Sequence, residues 1–302
     1  MFSTKIGTVR LLIGVVVGLI LLKLAVSWLT GSISILAQAA DSLLDLFAGV
    51  ITFSAIRIAA KPADEEHPYG HGKVEDIAAM AQGILILIAG GLIIYSSIRR
   101  IIEGTTIELA EAGIGVMLVS IVVSIFLSRH LLKVSRATGS VALEANARNI
   151  ATDVYSALAV LVGLITVRLT GLNVIDSIIA IGVAIYILKI AYNTIRKPLS
   201  GLIDTKLAPS QESVIKACLM RYSQQVAGFH ELRTRQAGSQ RHIDLHLVMD
   251  RGISLQQAHD VCDQIEAEIQ TSLPESSITI HMEPCSDECE QCSAVCSRRQ
   301  TK

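Results

Sequence analysis

The chain has 302 residues, of which 51% are hydrophobic and only 18% charged, and its net charge is −1. Soluble domains carry about 25% charged residues, so this composition excludes an ordinary soluble protein, and the near-neutral charge gives nucleic-acid binding no electrostatic support. Only 4% of the residues are aromatic, which argues against an aromatic-girdled outer-membrane barrel. The composition predicts a polytopic α-helical membrane protein with a soluble portion.

Six apolar stretches are long enough to cross a membrane, which takes about 20 mostly apolar residues. The predicted spans are 9–29, 33–60, 77–98, 112–132, 141–169 and 174–195. Lysine and arginine concentrate before the first span, after the second, fourth and sixth spans, and less on the opposite side. This bias predicts a multi-pass protein of the cytoplasmic (inner) membrane with six transmembrane helices over 1–200 and both termini in the cytoplasm.

The composition changes after Pro198, where charges become frequent and no apolar run is long enough to span. The pattern predicts a helix, two strands joined by a turn at Gly238, a helix with Ser254 as N-cap, and a third strand. The predicted ranges are 211–222, 229–235, 242–249, 255–269 and 277–282. The order predicts a cytoplasmic α+β (αββαβ) domain over 205–284 with its helices on one face of the sheet.

Polar residues interrupt two of the predicted spans. Asp41 and Asp45 are four residues apart, and Asn149 and Asp153 repeat that spacing, so each pair shares one helix face. An ionisable group in mid-bilayer costs at least about 2.5 to 3.5 kcal/mol, and two neighbouring carboxylates repel each other unless a cation or protons intervene. The two pairs predict a four-ligand cation site; alternatively they cap kinks or bond Ser and Thr of neighbouring helices.

The loop after the second span contains Asp64, His67 and His71 within eight positions. These residue types are zinc ligands. By spacing alone the loop is either a metal site or an ordinary solvated turn.

The C-terminal domain contains a larger group of metal-ligating residue types. They are His230, His246, His259, His281 and Glu283. His246 shares a strand face with Asp244 and His242, and His281 shares one with Glu283, because strand side chains alternate. Each alone is typical of a surface residue, whereas five in one small domain favour a metal site.

The last segment, 285–302, is rich in cysteine. It contains Cys285, Cys289, Cys292 and Cys296, and two more cysteines, Cys218 and Cys262, precede it. Cytoplasmic thiols stay reduced, so metal binding outranks disulfides here. The spacing also occurs in radical enzymes with iron–sulfur clusters, but its place at the end of the chain without a barrel argues against that. The segment is either an accessory soft-metal tail or unused.

These motifs together resemble the cation diffusion facilitator family, the bacterial zinc and iron exporters. Asp41-Ser-Leu-Leu-Asp45 and Asn149-Ile-Ala-Thr-Asp153 resemble the two halves of that family's transport site. The run His67-Pro-Tyr-Gly-His-Gly-Lys73 resembles its loop motif, and the segments 230–235 and 280–285 resemble its cytoplasmic signatures. The resemblance covers nearly the whole chain.

The resemblance implies a homodimer in the lipid bilayer, with six helices and a metallochaperone-like cytoplasmic domain in each protomer. It implies that the polar pairs form the transport site, that the loop residues form a second site, and that the five C-terminal residues form a binuclear site. It also implies exchange of divalent metal ions, zinc or iron, for protons, with no organic cofactor; the Asn149 amide in place of an imidazole predicts a site that is less selective for zinc and also admits Fe, Mn, Co or Cd. Two residues depart from the family pattern: Asn149 stands where zinc exporters have His, and Glu283 where Asp is typical.

Two other functions are compatible with a membrane protein that has these groups. An intramembrane metalloenzyme would need a motif such as HExxH with its general base, and the sequence has none, so no enzyme is predicted. A membrane-bound sensor or scaffold that binds metal without transporting it remains the alternative.

Overall fold

The computed structural model describes residues 4–30, 33–103, 111–170 and 174–285. The chain divides into two compact units, Met1–Ser200 and Gly201–Lys302. The first unit is helical, and the second combines helices with a sheet.

Six long helices make up the first unit. They are α1 (Lys5–Thr30), α2 (Ile33–Ala59), α3 (Lys73–Glu103), α4 (Glu111–Thr138), α5 (Val141–Thr170) and α6 (Val174–Leu202). Each helix contains one of the predicted apolar stretches almost entirely. Most of the helices extend beyond their stretch, since the residues that follow or precede it continue the helix. Within the described residues, five of them (all but α5) have a stretch long and apolar enough to cross a membrane. The 30 residues of α5 would reach about 45 Å, well beyond the thickness of the hydrocarbon core.

The core of this unit lies between α1, α2, α4 and α5. Leu12 of α1, Ile56 of α2, Leu131 of α4 and Leu143 of α5 are almost completely buried in one cluster. Large apolar side chains such as Phe126 instead lie on the outside, 69% exposed. An apolar outer surface of this kind suits contact with lipid.

Two glycines of α3 allow α6 to approach closely. A Cβ added to Gly83 would lie 2.5 Å from Ile195 Cγ1 and 3.2 Å from its backbone nitrogen. A Cβ on Gly90 would lie 2.9 Å from Leu188 Cδ2. Small residues let helix backbones come together in lipid, where packing rather than the hydrophobic effect holds helices to one another.

The second unit has the predicted αββαβ order. Its elements are α7 (Pro209–Arg221), β1 (Gly228–Ala237), β2 (Gln240–Met249), α8 (Leu255–Ser272) and β3 (Ser276–Pro284). The strands lie in the order β1-β2-β3, with β1 antiparallel and β3 parallel to β2. The parallel pair needs a crossover, which α8 supplies.

Local signals read from the sequence explain where these elements begin and turn. Ser254 Oγ accepts a hydrogen bond from the Gln257 backbone nitrogen at 3.2 Å, while the Gln257 side chain accepts one from the Ser254 nitrogen. This capping box starts α8. Gly238 has a φ of 59° in the turn from β1 to β2, a left-handed conformation that glycine adopts without strain.

The two faces of the sheet differ in chemistry. Ile243, Leu245 and Leu247 of β2 are fully buried against α7 and α8 in one core with residues such as Ile265. Both helices therefore cover the same face, as predicted. The alternate residues of β2, which include His246, point to the other face because strand side chains alternate.

Candidate metal-binding sites

The membrane unit brings together the two predicted polar pairs of α2 and α5. Asn149 Nδ2 donates a hydrogen bond to Asp45 Oδ1 at 3.1 Å. Asp153 lies one helical turn after Asn149 on α5, and Asp41, which is exposed, lies one turn before Asp45 on α2, so each shares a helix face with its neighbour. We call Asp41, Asp45, Asn149 and Asp153 the α2–α5 site.

A buried polar layer lies beside the α2–α5 site on the same helices. Gln82 Nε2 of α3 donates hydrogen bonds to Thr52 Oγ1 at 2.6 Å and to the Ala48 carbonyl at 3.1 Å. Asn146 Nδ2 of α5 donates a further bond to Thr52 Oγ1 at 3.1 Å. Thr52 lies seven residues after Asp45, and Asn146 three before Asn149, so the layer follows the same faces of α2 and α5 and fixes their spacing.

This layer and Lys23 were not predicted from the sequence. Lys23 of α1 is only 8% exposed, and its ammonium donates to Ser42 Oγ at 2.7 Å. The layer could not have been found, because its members are far apart in the chain and each is an unremarkable polar residue. Lys23 did carry a signal, since it is a charged residue within the first apolar stretch.

The three predicted loop residues lie together between α2 and α3. Asp64 Oδ1 accepts a hydrogen bond from the His67 backbone nitrogen at 2.7 Å and lies 3.3 Å from His67 Nδ1. Asp64 Oδ2 lies 3.4 Å from His71 Nε2. Gly70, with a φ of 78°, turns the chain between the two histidines. We call Asp64, His67 and His71 the loop site.

The atoms of the loop site fit a metal ion. The hydrogen bond from the His67 backbone, followed by that of its ring, holds the pKa of Asp64 below its ordinary value, so the group is a carboxylate at neutral pH. His71 Nδ1 is buried without a hydrogen-bond partner among the described residues. One carboxylate and two imidazoles within 4.8 Å of one another are a donor set that zinc accepts.

The register of the sheet assembles the cytoplasmic group. His230 of β1 faces His246 of β2, which in turn faces His281 of β3. Glu283 accepts from two of them: its Oε2 lies 3.0 Å from His230 Nε2, and its Oε1 lies 2.8 Å from His246 Nδ1. His281 Nε2 lies 3.7 Å from Glu283 Oε1. We call His230, His246, His281 and Glu283 the sheet site.

Charge and donor type in the sheet site also suit a metal ion. The hydrogen bond with His230, and then that with His246, keeps the pKa of Glu283 below its ordinary value. The carboxylate is therefore available as a ligand together with the imidazoles. His230, His246 and Glu283 place their ligand atoms within 4.8 Å of one another.

His259 is not brought into the sheet site within one chain. It lies on α8, 61% exposed, with its Nδ1 3.8 Å from Asp263 Oδ1. Because α8 packs on the covered face of the sheet and the sheet site lies on the other face, the sheet separates His259 from the other four residues. The sequence placed all five near element ends or on strands but could not show which face each would occupy.

Glu231 is a further carboxylate at the sheet site that was not predicted. A bulge between His230 and Arg233 interrupts the pairing of β1 with β2, and Glu231 there has a φ of 48°. Its Oε2 lies 3.8 Å from His246 Nε2 and 2.7 Å from Arg233. A bulge leaves little trace in a single sequence, so this contact could not have been foreseen.

The predicted cysteine tail is described only at its first residue. Cys285 is half-buried, and its backbone nitrogen donates to the Met249 carbonyl at 2.8 Å, which extends the sheet by one bond. Cys289, Cys292 and Cys296 lie outside the described residues.

Comparison with known families matches both units. The family described as the cation efflux transmembrane domain matches residues 9–203, which is more than half of the chain. The chain belongs to the cation diffusion facilitator family. The family described as the cation efflux protein cytoplasmic domain matches residues 207–285, which contain the whole sheet site. Members of the cation diffusion facilitator family are cation efflux transporters, not enzymes.

Similar cation diffusion facilitators cover most of the chain. The cation-efflux pump FieF of Salmonella typhi is 36% identical over 268 residues, which is 89% of each protein. The uncharacterized transporter sll1263 of Synechocystis is 33% identical over 266 residues, or 88% of this chain and 86% of the relative. A solved chain of CzrB is 32% identical and matches 26% of this chain and 99% of that chain, at a TM-score of 0.26, too low to support a fold assignment.

Proposed function

We propose that this cation efflux transporter exchanges a divalent metal ion for protons across the inner membrane. The α2–α5 site takes the metal, which is Zn(II), Fe(II), Mn(II), Co(II) or Cd(II). The contact between Asn149 and Asp45, at 3.1 Å, carries this proposal, because it joins the two polar pairs into one group of oxygen ligands. Carboxylate and amide oxygens are ligands for divalent cations and favour the harder ones, such as Mn(II), more than imidazole does.

Asn149 sets the metal preference in this proposal. Its amide nitrogen donates to Asp45, so Oδ1 is the atom that would contact a metal. An amide oxygen is a harder ligand than an imidazole and favours zinc less. The site should therefore admit iron and manganese along with zinc.

Exchange follows from competition between metal and protons for the same oxygens. In the inward-facing state the carboxylates of Asp41, Asp45 and Asp153 bind the metal together with Asn149. In the outward-facing state protons take its place, and the proton gradient drives the cycle. The three carboxylates of the site support this exchange, because like charges on one site repel one another once the metal has left and therefore favour the uptake of protons.

The loop site and the sheet site bind metal that stays with the protein. We propose that the sheet site regulates transport: a homodimer forms through the cytoplasmic domain and tightens when metal is plentiful. The match of residues 207–285 to the family's cytoplasmic domain supports this. Lysine and arginine near the helix ends favour cytoplasmic termini.

Flux measurements on the purified full-length protein in liposomes test the proposal. Uptake of Zn, Fe, Mn, Co and Cd is followed with and without a pH gradient, together with the pH inside the vesicles. We expect metal entry to be accompanied by proton movement in the opposite direction and to accelerate with the gradient. Metal flux that neither moves protons nor responds to the gradient would contradict exchange, and metal binding without any flux would favour a sensor.

A further inference from the structure

Lys23 is a charged residue buried in the middle of the membrane unit. It lies on α1, whose stretch Lys5–Leu29 is apolar enough to cross a membrane, and it is 8% exposed. A charged side chain inside a membrane is costly, so such residues are rare and mark functional pathways or pairs. The buried ammonium of Lys23 therefore needs a negative charge nearby that compensates it.

Neutral groups of α2 hold the ammonium in place. Lys23 Nζ donates hydrogen bonds to Ser42 Oγ at 2.7 Å and to the Gln38 carbonyl at 3.2 Å. Ser42 Oγ in turn donates to the same carbonyl at 3.1 Å. Ser42 directly follows Asp41 and precedes Asp45 by three residues. The ammonium is thus fixed beside the acidic face of α2 without itself occupying a ligand position.

The carboxylates beside Lys23 are those of the α2–α5 site. Asp41 and Asp45 flank Ser42, whose hydroxyl accepts from the ammonium, and Asn149, which precedes Asp153 by one turn of α5, contacts Asp45. Three carboxylates and one ammonium sum to a charge of two negative units when all are ionised. A divalent cation neutralises that charge completely, whereas without the lysine one negative unit would remain in the membrane.

We propose that Lys23 is the fixed counter-charge of the transport site. Its positive charge reduces the net charge of the three carboxylates to two negative units, which match one divalent ion, and it weakens metal binding enough for release. The proposal rests on the proposed function of the α2–α5 site. Lys23 acts as a positioning residue, because it touches Ser42 and Gln38 rather than the metal. Its charge remains beside the site when metal arrives and repels it.

The rival explanation is that Lys23 only joins α1 to α2 through its hydrogen bonds. The two explanations differ in what removal of the charge does to metal affinity. If Lys23 only joins α1 to α2, loss of its hydrogen bonds loosens the site, and metal binding becomes weaker or stays the same. Loss of a repelling charge strengthens metal binding and slows release.

Zinc transport by full-length variants in liposomes separates these explanations. The variants are Lys23→Met, which removes charge and donor, Lys23→Arg, which keeps the charge, and Lys133→Met as the matched control on an exposed position of α4. We expect Lys23→Met to lower the KM for Zn²⁺ by at least about tenfold, since one unit charge acts strongly at short range in a low dielectric, and to lower kcat as well. Lys23→Arg and Lys133→Met should keep the KM of the unaltered protein.

A KM that stays the same or rises in Lys23→Met would overturn the proposal. If Lys23→Met does not assemble, Lys23→Gln provides the same test, because it removes the charge but keeps a donor for Ser42. Lys23→Gln must also lower the KM, or the hydrogen bonds alone explain the residue. The Asp45→Ala variant tests the proposed function separately. If the α2–α5 site is not the transport site, Asp45→Ala still transports zinc, regardless of the results for the Lys23 variants.

Discussion

The sheet site and the α2–α5 site each gather four side chains that can bind a metal, but they assemble them in different ways. In the sheet site, strand register places His230 opposite His246, and Glu283 contacts both within 3.0 Å. In the α2–α5 site, one hydrogen bond of 3.1 Å joins Asn149 to Asp45, and Asp41 and Asp153 lie one turn away from them on the two helices. A ladder of backbone bonds fixes the first group, whereas the second depends on how two helices pack.

The difference suits different tasks. Packed helices can slide past one another by small shear motions, so a site split between α2 and α5 can be completed and opened again. In a site built on adjacent strands, the backbone hydrogen bonds of the sheet hold the ligand residues together and prevent such sliding. We therefore expect metal to be released from the α2–α5 site during each cycle and to be retained by the sheet site.

Asp45→Ala should have the largest effect, because Asp45 joins the two polar pairs through its contact with Asn149. We expect zinc flux in liposomes to fall to that of empty vesicles, while the purified full-length variant still binds metal through its sheet site. Flux assays and metal analysis of the same sample check this.

Glu103→Ala is the matched control, since Glu103 is an exposed carboxylate at the end of α3 that pairs with Arg99. It should transport normally. Substantial zinc flux by Asp45→Ala would show that the α2–α5 site is not the transport site, and loss of all bound metal would show that the two sites do not act separately.

His246→Ala tests the sheet site in the same way that Asp45→Ala tests the α2–α5 site. His246 contacts Glu283 at 2.8 Å and lies between the rings of His230 and His281. Removal of outer-shell partners already costs about 10- to 100-fold in metal affinity, so loss of a direct ligand should weaken zinc binding by the sheet site at least as much. Calorimetric titration of the full-length protein measures this.

His259→Ala provides the contrast within the same domain. His259 is 61% exposed on α8, on the helix-covered face of the sheet. If one chain completes the sheet site, this variant should bind zinc as the unaltered protein does. An equal loss of affinity in both variants would contradict the separation of the two faces.

Asn149→His changes a ligand type without removing it. Imidazole is softer than an amide oxygen, so zinc should gain over iron and manganese by about tenfold, or roughly 1.4 kcal/mol of preferential binding. Uptake of competing metals into everted vesicles measures the ratio. A strong zinc preference that is the same before and after the substitution would exclude Asn149 as a determinant of selectivity.

Much of the fold could be predicted from short-range spacing. The structure confirms a helix at each of the six predicted stretches, five of them apolar enough to cross a membrane, together with the Ser254 cap and the αββαβ order. The spacing of Asp41 from Asp45 fixes a shared helix face in the same way. Short-range patterns therefore sufficed to propose the residues of the loop site and the α2–α5 site, and their metal binding stays a prediction.

The spacing of residues in the sequence could not predict contacts that depend on how the elements pack. Whether His259 lies on the sheet-site face is decided by where α8 packs, and the approach of Glu231 to His246 depends on a bulge. The contact of Lys23 with Ser42 joins two helices. Such contacts need the three-dimensional arrangement, even where a residue such as Lys23 looks unusual in the sequence.

Gly83→Ala should have the smallest effect, and it tests how closely the helical unit is packed. A methyl group at this position would lie 2.5 Å from Ile195 Cγ1 and 3.2 Å from the Ile195 backbone nitrogen, so α3 and α6 must move apart. Overpacking of this kind costs about 1 to 3 kcal/mol, and the melting temperature of the detergent-solubilised protein should fall.

Gly91→Ala on the same helix is the matched control. An added Cβ there meets nothing within 4 Å in the described part of the chain, and replacing glycine by alanine in a helix favours folding by about 0.4 to 1 kcal/mol. Its melting temperature should therefore stay the same or rise. Equal melting temperatures for Gly83→Ala and Gly91→Ala would mean that α3 and α6 are not held in close contact at Gly83.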